Sequence, residues 1–141
     1  MVLVVDDKQE RVDAYKQNWA DSLLTCVATV AETLVLMQHF KFDILFLDYN
    51  LGIKGAAIGG KLSGAEVARW LADPVNELSV PELVVISTHS LDGRYILAQL
   101  LPHALCCPLN AWDYTPKELA DHLIPACEVQ PFIPAHYRVK P

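Results

Sequence analysis

Short apolar runs alternate with amphipathic stretches along the chain. Val2 to Val5 (VLVV) is a β-branched run and predicts a buried strand. The segment DDKQERVDAYKQNWA behind it opens with acids and places Val12, Tyr15 and Trp19 at spacings of three and four, which predicts a helix with one apolar stripe. SLLTCVAT reads as a second strand. VAETLVLMQHF reads as a second helix, with Thr29 at its N-cap and Glu32 placed to complete a capping box. FDILFLD is a third strand. The glycine-rich segment YNLGIKGAAIGGKLSG that follows is long for a structureless connection. SGAEVARWLAD predicts a third helix, with Ser63 and Glu66 as a second capping box and Pro74 past its end. VNELSVPE connects it to a fourth strand, LVVIS. LDGRYILAQLLPH is a weaker fourth helix, interrupted early by Gly93 and ended by Pro102. ALCCP is a short fifth strand closed by Pro108. TPKELADHLIPA predicts a fifth helix, with Thr115 at the N-cap, Pro116 at N1 and Glu118 near the start. The remaining EVQPFIPAHYRVKP contains three prolines counting the last residue, and reads as a tail. The expected division is a domain over 1–126 and a proline-rich tail over 127–141.

The strands lack the alternation of a half-exposed sheet, as strands do when helices cover both faces. The expected fold class is therefore α/β, a flavodoxin-like three-layer sandwich with a five-stranded parallel sheet, taken in the order 2-1-3-4-5. Ligands of such sheets bind beyond the carboxyl ends of the strands. Strand one ends at Asp6 and Asp7, strand three at Asp48, strand four at Ser87, Thr88, His89 and Ser90, and strand five at Cys107 and Pro108. In the assumed order, strands one and three are neighbours, so Asp6, Asp7 and Asp48 meet. Three crowded carboxylates repel one another unless a cation is supplied. Mg²⁺, which accepts one or two carboxylates, a carbonyl and waters, is the expected cofactor. The competing reading is that Asp6 and Asp7 only cap the first helix.

Composition narrows the classes. A chain of 141 residues with 52% apolar and 20% charged residues fits one globular domain. A net charge of −6 argues against general nucleic-acid binding. No apolar stretch approaches the roughly 20 residues of a membrane span, and the start of the chain does not read as a signal peptide. Cys26, Cys106, Cys107 and Cys127 lack zinc-site spacing and read as reduced thiols, so a cytoplasmic location is expected. A thiol among acids has a raised pKa, which argues against a redox role for Cys107.

The ordered pieces VLVVDD, LFLDYNL, VVIS followed by Thr88, and a fifth strand ending in proline resemble the receiver domain of two-component response regulators, over about residues 1–125. The resemblance implies that Asp48 is the phosphoacceptor, that Asp7 binds Mg²⁺ directly and Asp6 through water, and that the Asn50 carbonyl is a further ligand. It also implies that Ser87 is the hydroxyl that touches the phosphoryl group, with Thr88 beside it. A histidine kinase or another signalling protein is the implied partner, with the face of helix four, strand five and helix five available for partners or a homodimer. Three departures stand out. Cys107 replaces the usual lysine before the proline of strand five, about Ala104 replaces an aromatic residue, and the loop after Asp48 is longer. Arg94, Lys54 and Lys61 are candidates for the missing positive charge.

LDYNLG together with THSLDGRYIL is also similar to an atypical receiver-like family proposed to process or sense cyclic phosphates. His89, Ser90 and Gly93 match its second motif, while Tyr49 and Asn50 stand in place of a histidine and an aspartate in its first. That resemblance implies His89 as acid–base group and Arg94 as phosphate clamp, with Ser90 between them in sequence. Three functions follow as expectations: phosphoryl acceptance on Asp48, an activity or sensor for cyclic phosphates, and a partner-binding module that works without phosphorylation. Tyr15, Trp19, Phe40 and Trp70 are expected in the core. Trp112, Tyr114, Phe132 and Tyr137 are expected to pin the tail or meet a partner. The chain reads as a single-domain regulator or as part of a larger protein.

Overall fold

The computed structural model describes residues 1–51 and 63–131. The strands are β1 (Val2–Val5), β2 (Leu24–Val27), β3 (Ile44–Leu47), β4 (Leu83–Ile86), β5 (Leu105–Cys106) and β6 (Ile124–Pro125). The helices are α1 (Gln9–Asn18), α2 (Val30–His39), α3 (Gly64–Ala72), α4 (Leu91–Leu100) and α5 (Pro116–Leu119). One sheet runs β2-β1-β3-β4-β5-β6. Its first five strands are parallel, in the expected order, and β6 is antiparallel to β5.

The apolar runs form strands because both faces are buried. Leu3, Val5, Leu45, Leu47 and Ile86 point into one core layer with Met37, Val67 and Leu97 of the helices. Val2, Val4, Phe46 and Val85 point into the other, with Tyr15, Trp19, Cys107 and Trp112. Phe46 lies under Tyr15 and Trp19, with ring centroids at 4.8 and 5.2 Å. Trp112, placed by sequence near the tail or a partner, is a core residue instead. Phe40 is the reverse case. It follows α2 at the surface and is 52% exposed, because the residue facing inward there is Phe42.

The fifth helix is much shorter than its sequence predicts. Thr115 and Glu118 make the reciprocal capping box, and Pro116 starts the helix, but after Leu119 the chain tightens into a 3₁₀ turn at Ala120–His122 and then extends. Pairing of Ile124 and Pro125 with β5 wins over helix propensity, because it covers an otherwise open sheet edge. Pro125 is tolerated there because an edge strand can lack a donor. The drawn boundary at 126/127 falls inside a turn, Ala126–Glu128. Ala126 N donates to Ala104 O at 2.9 Å, and Val129 packs on the core. Phe132, Tyr137 and the rest of the tail lie outside the described residues.

The capping boxes also differ in detail. Thr29 accepts from Glu32 N at 3.2 Å and donates to the Glu32 carboxylate at 2.8 Å. Ser63 accepts from Ala65 N at 3.2 Å, while Glu66 turns away to pair with Arg69, so the second expected box is not formed. Gly93 does not interrupt α4. It lies in the first turn, where its N–H donates to Ser90 Oγ at 2.9 Å.

Candidate functional site

Parallel pairing puts the ends of β1 and β3 side by side, with Val5 opposite Leu47. The next residues carry the acids. Asp6, Asp7 and Asp48 each offer an oxygen within 4.8 Å of the others. Asp6 is 2% and Asp48 1% exposed. Helix capping does not account for them. α1 has no side-chain cap, and Asp6 Oδ1 accepts only from Lys8 N, at 3.0 Å. Asp48 Oδ1 accepts from Tyr49 N at 2.9 Å. Asp48 Oδ2 and Asp7 Oδ1 are buried with no hydrogen-bond partner among the described residues. Buried carboxylate oxygens in that state lack what a hard cation provides, so the donor set fits Mg²⁺.

Burial raises the Asp6 carboxyl to about 6, with the Asp48 charge adding to it and the Lys8 N–H and Arg11 opposing it. Burial also raises Asp48. The Thr88 hydroxyl, Arg11 and the Tyr49 N–H pull it back, and Asp7 adds to the rise. The sign for stability follows from linkage. Between about pH 4 and 6 the metal-free folded chain holds a proton on Asp6 that the unfolded chain has released. Stability is therefore lost as pH rises through this window, at up to about 1.4 kcal/mol per unit. The urea midpoint of the parent in EDTA should fall between pH 4.5 and 7, relative to an Asp6→Asn variant measured alongside. Parallel curves for the two proteins would contradict this.

The sequence placed no cation here from α1, yet Arg11 supplies one. Its Nη1 lies 3.5 Å from Asp6 Oδ2 and 3.5 Å from Asp48 Oδ2, with the side chain only 16% exposed. Its guanidinium also lies over Trp112, 4.9 Å from the ring centroid. A signal existed in the sequence: Arg11 sits one helical turn after Asp7. Cys107 occupies the end of β5 with its thiol buried and raised. Tyr15, read only as core, sends its hydroxyl toward Ser87, Asp6 and Asp48, and burial keeps it neutral.

The other predicted residues divide into two groups. Ser87 and Thr88 are buried beside the acids. His89 is exposed on the rim, its Nε2 2.9 Å from Asn110 Oδ1 and its ring stacked on Trp112 at 4.9 Å. Ser90 is the N-cap of α4. Asn50 is exposed next to the acids. Arg94 faces elsewhere: it donates to Thr88 O at 3.2 Å and lines a cavity with Leu91, Pro108, Ile124 and Glu128. Lys54 and Lys61 lie outside the described residues. A cleft of about 190 Å³ opens beside Asp6 and Asp7, lined by Gln9, Lys16, Cys26 and Ala28.

Two glycines fix the residues around Asp48. A Cβ on Gly93 would lie 2.5 to 2.6 Å from Cβ, Cγ and Cδ1 of Tyr49. The glycine of the Ser90-to-Gly93 turn therefore makes room for the ring next to Asp48. Gly93→Ala should cost about 1–3 kcal/mol by overpacking and alter Tyr49 chemical shifts. Unchanged Tyr49 resonances would contradict this.

A five-stranded parallel sheet in this order, with acids at the β1/β3 switch point, defines a receiver fold. The chain belongs to the cyclic-phosphate processing receiver domain family, whose model matches residues 1–102. It is also similar to solved receiver structures. One is a CheY-like response regulator receiver domain protein from Methanospirillum hungatei JF-1, with 20% identity over 85% of this chain and 86% of that one and a TM-score of 0.58. Another is the signal receiver domain of a putative Luxo repressor protein from Vibrio parahaemolyticus, with 28% identity over 78% and 79% of the two chains and a TM-score of 0.55. No curated protein matches the chain. No helix among the described residues is long and apolar enough to cross a membrane.

Proposed function

We propose that this chain is a phospho-signalling receiver in which Asp48 accepts a phosphoryl group. The observation that carries the reading is Asp48 Oδ2, buried beside Asp6 and Asp7 with no hydrogen-bond partner among the described residues. Asp7, Asp48 and the Asn50 carbonyl would hold Mg²⁺ directly, and Asp6 through water. Bound there, the ion offsets negative charge as an anionic nucleophile approaches an anionic phosphorus. An Asp48 oxygen attacks phosphorus, and the bond from phosphorus to the donor's oxygen or nitrogen breaks, its electron pair leaving with the donor. Ser87 and Thr88 stand ready to donate to the transferred oxygens. A histidine kinase fits as donor. The exposed Leu91 and Leu109 beside β5 give partners, or a second copy of the chain, an apolar foothold.

Intact mass after incubation with acetyl phosphate and Mg²⁺ tests this. One added phosphoryl group on the parent, and none on Asp48→Asn, is expected. An unmodified parent would count against it and favour a partner-binding module that works without phosphorylation.

A second reading, action on a cyclic phosphate, is supported by the family match and by His89, exposed on the rim past the end of β4. Here a water oxygen would bond to phosphorus, one ester bond would break with its electron pair leaving on the ring oxygen, and the proton given up by the water would reach that oxygen by way of His89. Phosphorus NMR of a 2′,3′-cyclic nucleotide incubated with the parent and with His89→Ala checks it. Ring opening by the parent alone supports this reading, and no opening by either removes it.

A further inference from the structure

The site described above lacks the lysine that receivers carry at the end of strand five, and the structure shows what stands in that region. The end of β5 is apolar: Cys107 is fully buried against the layer containing Tyr15, Phe46 and Trp112. No cation can reach the acids from that position. The guanidinium at the acids comes instead from α1, on the third residue of the helix. A positive charge so near a helix N-terminus is disfavoured by the helix dipole. Arg11 is held there nonetheless by two carboxylates and the face of Trp112. Trp112 is itself fixed to the same helix, because Asn18 Nδ2 donates to its carbonyl at 2.7 Å. The clamp and the residue it aims thus share one helix as foundation.

The distances say that this pairing is not a finished ion pair. A charge-assisted guanidinium–carboxylate bond closes to about 2.7–2.9 Å, whereas Arg11 sits 3.5 Å from each carboxylate and spans both. A guanidinium carries a planar fork of donors that suits phosphate oxygens.

We infer that Arg11 is the cation that binds the phosphoryl oxygens at Asp48, and that Trp112 is the positioning residue that aims it. This deepens the proposed phosphoryl acceptance and rests on it. Arg11 then has two opposite effects. It repels Mg²⁺ in the unmodified chain, and it attracts the phosphoryl group once that arrives. A purely structural counter-ion would have only the first.

The test uses fluoroberyllate, a phosphoryl mimic, with Mg²⁺. Fluorine NMR reads the mimic and a separate titration reads Mg²⁺ alone. Arg11→Gln is expected to bind Mg²⁺ several-fold more tightly and fluoroberyllate at least 10-fold more weakly than the parent. Arg11→Lys, which keeps the charge and guards against a folding defect, should recover part of the loss. Trp112→Phe should move both affinities in the same directions as Arg11→Gln, each by a smaller factor. If Arg11→Gln binds the mimic as well as the parent does, the inference fails while phosphoryl acceptance stands. A parent that binds no mimic and takes no phosphoryl group from acetyl phosphate overturns both.

Discussion

Asp48→Asn is expected to abolish phosphoryl acceptance and, at the same time, to stabilise the metal-free chain. Both effects come from one buried carboxylate. Asparagine keeps the shape and the acceptor for Tyr49 N, but it is not a nucleophile, so labelling by acetyl phosphate should fall below detection, a loss of at least 100-fold. The stabilisation arises because an ionised Asp48 is buried near Asp6 and Asp7, and its charge is disfavoured there. Removing the charge relieves that repulsion and forfeits the long contact to Arg11, for a net gain in stability at neutral pH. Thermal unfolding in EDTA should show a rise of several degrees over the parent. Saturating Mg²⁺ should narrow the gap, because the ion binds the parent's folded state more tightly. A variant that melts lower than the parent in EDTA would show that Asp48 holds the fold together and is not kept there against repulsion.

Gly64→Ala is the second substitution with a large expected effect. A Cβ at Gly64 would lie 2.1 Å from the backbone oxygen of Asp48 and 3.0 Å from Tyr49 Cα. The obstacle is backbone, so no side chain can swing aside. Gly64 N also donates to Tyr49 O at 2.7 Å, which ties the start of α3 to the segment carrying Asp48. The chain must either displace that segment or give up the contact. The expected cost is about 3 kcal/mol, with Mg²⁺ affinity reduced along with stability. Urea unfolding and a Mg²⁺ titration check the two parts. Full stability would show that the start of α3 is free to move away. Lost stability with unchanged Mg²⁺ affinity would separate the fold from the site.

Much of this was readable from residue order. The apolar runs marked five strands, and a full helix between successive strands favours the parallel crossover of the βαβ unit. With Asp6, Asp7 and Asp48 each following a run, their meeting depended only on β1 and β3 being neighbours. Local capping chemistry likewise located Thr29, Ser63 and Thr115 at helix starts, since each needs only its own next three residues.

Tertiary structure decided what depends on partners distant in sequence. Ile124 and Pro125 became a strand because β5 had an open edge, which no local propensity of TPKELADHLIPA reveals. Trp112 joined the core because the turn after β5 lands on α1, 94 residues from Asn18. The source of the site's positive charge was settled in the same way. Arg94 lies as near to the acids as Arg11 in the logic of strand ends, but α4 directs it toward Thr88 O and the β5–β6 side. The pitch of α1 turns Arg11 back over the acids. Sequence by itself determined which residues end the strands, because hydrophobic burial is written into the local pattern. Which cation faces them was decided only by the packing of α1 against Trp112, because side-chain direction across a helix–turn contact is set by the whole fold.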